Sequence, residues 1–112
     1  MKSMNFDDYQ KFTKKTAIYP LIGKNFVYPT LGLAGEAGEI VEKVKKIFRD
    51  KEGKVSKETK EEIAKEIGDV LWYISQLSAE FGLSLNYIAE MNISKLKSRT
   101  KRKKLHGDGD NR

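Results

Sequence analysis

The chain contains no cysteine and a single histidine among its 112 residues. The absence of cysteine excludes disulfide bonds, thiolate metal ligands and cysteine nucleophiles, and one histidine cannot form a zinc site alone. Any metal ion held by this protein must therefore be bound by oxygen ligands. Such ligands favour Mg²⁺, with Mn²⁺ as the alternative.

Long hydrophobic runs are also absent. No apolar run approaches the roughly 18 residues that a membrane-spanning helix needs, and the N-terminus leads at once into polar residues. Hydrophobic residues make up 38% of the chain and charged residues 34%, a balance that fits a helix-rich protein with one modest core. We therefore expect a cytoplasmic protein with no membrane partner and no secretion signal.

Acidic residues are missing from one segment, residues 95–104, which carries seven lysines and arginines. The net charge of the whole chain is +6, so the remainder has a net charge of −1. The protein is thus a near-neutral body with a basic end. A basic end of this kind suits phosphate-bearing ligands, whether nucleotides or nucleic acid.

Hydrophobic periodicity predicts four helices and no strand, hence an all-α fold resembling a four-helix bundle. The apolar stripes expected to face inward include Val41 and Phe48 of the second helix, Ile67 of the third and Leu96 of the fourth. We expect one helical domain over residues 1–105 and a polar, glycine- and aspartate-rich tail over 106–112. The predicted helices run from Phe6 to about Thr16 with Asn5 as N-cap, from Thr30 as cap to about Arg49, from Ser56 as cap to about Phe81 with Gly82 as stop, and from Ser84 to about Lys103.

Two acidic pairs, Glu36 with Glu39 and Glu66 with Asp69, dominate the predicted second and third helices. Residues three apart project from one side of a helix, so two packed helices could gather all four carboxylates. Clustered carboxylates repel one another unless a cation intervenes, which predicts a divalent-metal site. The alternative is ordinary solvated helix surface, with Glu39 paired to Lys43.

Aromatic residues lie beside the second acidic pair. Glu62, Glu66, Asp69 and Tyr73 form one stripe of the third helix, and Trp72 lies on the same nominally polar side. A helix with aromatic residues opposite its core face is expected to bury both faces. We expect the second face to meet another subunit.

Glycines recur every three residues through the first acidic helix, at Gly32, Gly35 and Gly38. Each interior glycine costs about 1 kcal/mol relative to alanine. We therefore expect a backbone or a ligand to approach this helix closely.

Three polar residues of the fourth helix, Asn92, Lys95 and Arg99, fall on its inward stripe with Leu85 and Ile88. Inward polar groups need partners or a ligand. An amide, an ammonium and a guanidinium in line could hold the base or sugar and the phosphates of a nucleotide. The alternative is a core amide followed by cations that the helix dipole favours.

These motifs together resemble the MazG-like all-α nucleoside triphosphate pyrophosphohydrolases. The resemblance is carried by Gly32-Leu-Ala-Gly-Glu-Ala-Gly-Glu-Ile40, by Glu66-Ile-Gly-Asp-Val-Leu-Trp-Tyr73 and by Asn92-x-x-Lys95, and it covers roughly residues 30–99. It implies a helical bundle that assembles as a homodimer or homotetramer. It also implies Mg²⁺-dependent cleavage of a nucleoside triphosphate substrate to monophosphate and pyrophosphate, with a nucleotide-pool house-cleaning role.

The resemblance also implies roles for single residues. Glu36, Glu39, Glu66 and Asp69 match the family's metal-binding acids, and Asn92 and Lys95 match nucleotide-binding positions. Many members carry an acid where this chain has Gly35, which leaves the number of metal ions open. Glu39 and Glu62 are both candidates for the general base, and Lys95 or Arg99 for stabilising the pyrophosphate. Tyr28, Trp72 and Tyr73 are candidates to line the base pocket, the alternative being ordinary packing.

Two non-enzymatic classes compete with this interpretation. A nucleic-acid-binding helical module, or a protein-interaction bundle, could use the basic segment 95–104. The nucleic-acid-binding module leaves the inward acids unexplained, and the four intact acids argue against an inactive protein-interaction bundle. We therefore predict an enzyme, and we do not expect nucleic acid to be its partner.

Overall fold

The computed structural model describes residues 3–103 and 107–111, so Lys104 and His106 lie outside the described residues. The described part contains four α-helices and no strand: α1 (Phe6–Thr16), α2 (Val27–Asp50), α3 (Lys57–Glu80) and α4 (Leu85–Lys101). The predicted all-α class is confirmed. None of the described helices combines the length and the apolar character that crossing a bilayer requires.

Three helices begin where their capping residues predict. The side chain of Asn5 accepts from the N–H of Asp8 at 2.8 Å, and the Asp8 carboxylate accepts from the Asn5 N–H at 3.3 Å, which completes a capping box. Ser56 accepts from the Thr59 N–H and Ser84 from the Tyr87 N–H, each at 3.1 Å. These short polar contacts satisfy N–H groups that a first helical turn leaves unpaired.

The predicted start of α2 at Thr30 was wrong. The helix begins at Val27, and Pro29 lies in its first turn, where a missing N–H costs nothing because no partner exists there. The Asn25 side chain accepts from the Tyr28 N–H at 3.1 Å, and the Thr30 hydroxyl donates to the Phe26 carbonyl. Thr30 is thus a residue of the helix, and the cap-like role falls to Asn25.

The packing is dominated by a long hairpin of α2 and α3, the two 24-residue helices, joined by a short loop. α1 lies across α3, and α4 packs on α1. Polar contacts fix these crossings: the hydroxyls of Thr13 and Ser75 are 2.7 Å apart, and the Gln10 amide donates to the Leu83 carbonyl and accepts from the Leu85 N–H. Gln10 therefore ties α1 to the turn between α3 and α4.

The hydrophobic core of a single chain is small. Among the described residues only three hydrophobic side chains are buried: Tyr19, Ile47 and Leu85. The radius of gyration is 17.0 Å, against about 13 Å for a compact chain of this length. The helices therefore do not close into a compact bundle within one chain.

Several residues expected to lie inward are consequently exposed. Val41 and Phe48 on α2 are 63% and 83% exposed, Ile67 on α3 is 53% exposed and Leu96 on α4 is 42% exposed. The predicted inward orientation of these side chains was wrong for the single chain. The physical reason is that α4 packs on α1 instead of completing a four-helix layer beside α2.

Candidate metal centre

Three carboxylates from two helices meet on the α2–α3 hairpin. Glu36 of α2 faces Glu66 and Asp69 of α3, and one oxygen from each lies within 4.8 Å of the other two. Glu36 and Glu66 are half-buried, whereas Asp69 is exposed. The three-residue spacing of Glu66 and Asp69 places both on the side of α3 that faces Glu36.

The negative charges of these three carboxylates repel one another, and a bound cation would relieve that repulsion. The pKa of Glu36 is raised by burial, by a hydrogen bond with Glu66 and by the negative charges of Asp69, Glu66 and Glu39. A divalent ion would remove this repulsion. The donor set consists of carboxylate oxygens alone, which fits Mg²⁺ or Mn²⁺ and does not fit a soft metal.

The other two acids predicted for the site lie outside this trio. Glu39 is exposed one turn along α2, and its charge reaches Glu36 without joining the close group. Glu62 lies one turn before Glu66 and pairs with Lys43 across the hairpin at 3.6 Å. The structure thus brings together three of the four predicted metal ligands. Both candidate bases lie one helical turn from a member of the trio.

An aromatic wall borders the carboxylates. Glu36 and Asp69 line a cavity of about 280 Å³ with Trp72 and Tyr73. The two rings meet edge to face, with centroids 5.0 Å apart, and the Tyr28 ring lies 6.4 Å from that of Tyr73. The pKa of Tyr73 is raised by burial, by Tyr28 and by the charges of Glu36 and Asp69. The predicted aromatic residues therefore lie together beside the acids.

Two aromatic residues on the second face of α3 contact other helices of the same chain. Trp72 Nε1 donates to the Thr16 hydroxyl of α1 at 2.8 Å, and Tyr73 packs against Gly32 of α2, where an added Cβ would overlap its ring. These contacts come from α1 and α2 of the same chain, and the expectation that this face also meets another subunit stays a prediction. The group that approaches Gly32 closely is thus a side-chain ring and not the predicted backbone or ligand, while a Cβ at Gly35 or Gly38 would meet nothing within 4 Å.

Glu80, which the sequence reasoning missed, organises the loop that carries Tyr19. Its carboxylate accepts from the Tyr19 hydroxyl, from the Gly23 N–H at 2.8 Å and from the Asn25 N–H at 2.7 Å. Tyr19 in turn stacks on Tyr28, with ring centroids 4.8 Å apart. An acid in the last turn of a helix interacts unfavourably with the helix dipole. The position of Glu80 at the end of α3 was therefore the feature of the sequence that indicated a specific contact for this carboxylate.

Tyr9 of α1 was also missed. Its pKa is raised by burial and by the charge of Asp69, so its hydroxyl lies within electrostatic reach of the acidic trio. No motif marked it, because its spacing on α1 is that of an ordinary core residue.

The three predicted nucleotide-binding residues of α4 lie together but apart from the trio. Lys95 Nζ lies 3.0 Å from a carboxylate oxygen of Asp110, and Arg99 is buried beneath the same tail segment. Asn92 is exposed and lines a cavity with Lys95 and Asp110. Within the described residues, no hydrogen bond or ion pair joins these side chains to the trio. The predicted inward stripe holds in part: Arg99 is buried, as is Leu85, Lys95 is half-buried and Asn92 is exposed.

The fold and site define an all-α protein whose central hairpin presents a cluster of three carboxylates. The protein family described as "MazG nucleotide pyrophosphohydrolase domain" matches residues 29–103, which include both acidic pairs and Lys95. The chain belongs to this family. It is 44% identical over 114 residues to the Gene 37 protein of Mycobacterium phage L5, a match that covers 97% of this chain and 100% of the relative. No solved structure matches the chain.

Proposed function

We propose that this protein is a Mg²⁺-dependent pyrophosphohydrolase that converts a nucleoside or deoxynucleoside triphosphate and water to the monophosphate and pyrophosphate. The observation that carries the proposal is the trio of Glu36, Glu66 and Asp69 within 4.8 Å in a member of the MazG family. A triphosphate and three carboxylates repel one another strongly, so a divalent cation between them is what makes binding possible.

The trio would hold the ion, with Mg²⁺ favoured and Mn²⁺ possible, and the bound ion would neutralise charge on the phosphates as a Lewis acid. Glu39 or Glu62 would take a proton from the attacking water. Glu39 is the better candidate for this role, because Glu62 already forms an ion pair with Lys43.

The remaining predicted residues would bind the substrate. Trp72, Tyr73 and Tyr28 offer aromatic surface to a nucleobase directly beside the acids. Lys95 offers an ammonium to the phosphates and Asn92 an amide to the sugar or base. Arg99, whose guanidinium donates to the main-chain carbonyl of Asp110, would help to position Lys95 from its buried place one helical turn further along α4.

A homodimer or homotetramer is part of the proposal. Exposed apolar side chains such as Val41 and Phe48 run along α2, and a second copy would cover them. In such an assembly the α4 of one copy could approach the carboxylates of another, which would complete the site. Sedimentation analysis across a range of concentrations tests this, and a monomer throughout would contradict it.

Product analysis tests the reaction. The protein is incubated with Mg²⁺ and a panel of ribo- and deoxyribonucleoside triphosphates, and the products are resolved by phosphorus NMR. Monophosphate with pyrophosphate supports the proposal, whereas diphosphate with orthophosphate, or no turnover of any substrate, contradicts it. The proposed setting is the cytoplasmic nucleotide pool, from which the enzyme would remove unwanted triphosphates.

A further inference from the structure

The described end of the tail, residues 107–111, folds back onto α4. Its anchor is Arg99, whose Nη2 donates to the carbonyl oxygen of Asp110 at 2.8 Å and to that of Gly109 at 3.4 Å. The Arg99 side chain is only 4% exposed. Because both acceptors are main-chain atoms, this anchor does not depend on which side chain stands at position 110.

The Asp110 carboxylate makes a second and different contact. Its Oδ1 lies 3.0 Å from Lys95 Nζ and 3.4 Å from Arg99 Nη2, yet its side chain is 82% exposed. These two cations lower the pKa of Asp110, which keeps it negatively charged at neutral pH. Exposed ion pairs contribute little to stability, so a competing anion can replace this carboxylate on Lys95.

A cavity lies where the tail meets α4. It has a volume of about 390 Å³ and is lined by Ile88, Met91, Asn92, Lys95, Asp110 and Asn111. This size falls within the range of small-molecule sites, and apolar walls with two amides and an ammonium suit a polar organic anion. Arg99 Nε, buried nearby, has no hydrogen-bond partner among the described residues, which indicates a polar group still to be satisfied.

The proposed function already assigns Lys95 to the phosphates of a nucleotide; we propose that Asp110 of this chain is a built-in competitor for that anion in the cleft between the tail and α4. The entering phosphate displaces the Asp110 carboxylate from Lys95, while the main-chain anchor on Arg99 keeps the tail in place. Asn111 then remains part of the lining of the cleft, together with Asn92. The identity of the anion rests on the proposed function, whereas the competition between carboxylate and anion does not.

The test is the affinity of the full chain for inorganic tripolyphosphate, measured by calorimetry without divalent metal at fixed ionic strength. Asp110→Asn removes the competing charge and keeps both carbonyls that bind Arg99. Its Kd is expected to be about two- to five-fold lower than that of the unmodified protein, the range of one exposed ion pair. Asp108→Asn is the matched control, since it makes the same charge change two residues away.

A double-mutant cycle makes the test specific to Lys95. Lys95→Gln should weaken binding, and adding Asp110→Asn to it should give no further gain. Four results would overturn the proposal: no measurable binding, an unchanged or weakened Asp110→Asn variant, an equal gain from Asp108→Asn, or a gain that persists without Lys95. If the cycle behaves as expected but no triphosphate is hydrolysed, the anion site stands and the proposed reaction fails.

Discussion

The ring of Tyr73 lies directly over the Cα of Gly32, so that a Cβ at this position would overlap three ring carbons. This contact sets how closely α2 and α3 approach beside the acidic trio. It also holds Tyr73 against Trp72, and both rings line the same cavity as Glu36. The geometry of the site thus depends on a residue that has no side chain.

Replacing Gly32 by alanine is expected to lower the free energy of unfolding by about 1–3 kcal/mol, the usual effect of overpacking. Helix propensity alone would favour alanine by about 1 kcal/mol. Urea denaturation measures the difference, with Gly35→Ala as control because a Cβ there meets nothing within 4 Å. The control should gain up to about 1 kcal/mol; an equal gain for Gly32→Ala would contradict the close contact.

The trio should govern the binding of divalent metal. We expect Mg²⁺ to raise the melting temperature of the unmodified protein, since an ion that binds only the folded state stabilises it by about 2.7 kcal/mol at 100 times its Kd. Glu66→Gln and Asp69→Asn should each lose this increase and nearly all turnover while remaining folded by circular dichroism. Glu61→Gln, an exposed acid on the same helix, should keep both. Normal metal response in the first two variants would show that the trio is not a metal site.

The raised pKa of Glu36 gives a pH-dependent prediction for the metal-free protein. A carboxyl whose folded pKa lies above its ordinary value near 4.5 favours folding when protonated, and this contribution is lost as the pH rises through the folded pKa. Glu36→Gln should therefore be more stable than the unmodified protein at pH 7.

The advantage of Glu36→Gln should shrink as the pH falls towards 4.5, because Glu36 then becomes protonated and neutral in the unmodified protein as well. Saturating Mg²⁺ at pH 7 should reverse the order, since only the unmodified protein retains the full ligand set. Thermal denaturation across this range measures both effects. If the extra stability of Glu36→Gln does not change with pH, the folded state does not raise the pKa of Glu36.

Local features of the structure could be predicted from the sequence. The caps at Asn5, Ser56 and Ser84 act through contacts spanning three residues, so their signal is contained in a short segment. The facing of Glu36 with Glu66 followed from helical spacing and the packing of two adjacent helices. The predicted start of α2 at Thr30 was wrong because a proline just before an N-cap and a proline in the first helical turn give similar sequence patterns. Pro29 is the second of these.

Contacts between distant parts of the chain could not be predicted. The Glu80 carboxylate meets the Tyr19 hydroxyl 61 residues away, and Gln10 reaches the Leu85 N–H across 75 residues. Such contacts follow from how the helices cross, which no periodicity encodes. The attachment of Asp110 to Lys95 is likewise set by a chain reversal after α4, and a glycine-rich sequence permits many paths.

Glu80 gives the last prediction, because it holds the loop on which Tyr19 stacks against Tyr28. Burial alone would raise its pKa, but hydrogen bonds from the Tyr19 hydroxyl and from the N–H groups of Gly23 and Asn25 lower it overall. Glu80→Gln should lower the free energy of unfolding by about 1.5–3 kcal/mol at pH 7, the usual effect of losing hydrogen bonds to a charged group.

The sign of the pH dependence is opposite to that of Glu36. The contribution of Glu80 is fully present above its ordinary value near 4.5 and is lost as the pH falls through its lower folded pKa, so the difference between Glu80→Gln and the unmodified protein should narrow in acid. Glu90→Gln, an exposed acid of α4, should show no such difference at either pH. If Glu80→Gln is as stable as this control at pH 7, the loop does not depend on the carboxylate. If Glu80→Gln loses stability but keeps the KM for triphosphate, Glu80 stabilises the loop without affecting any contact between Tyr28 and the substrate.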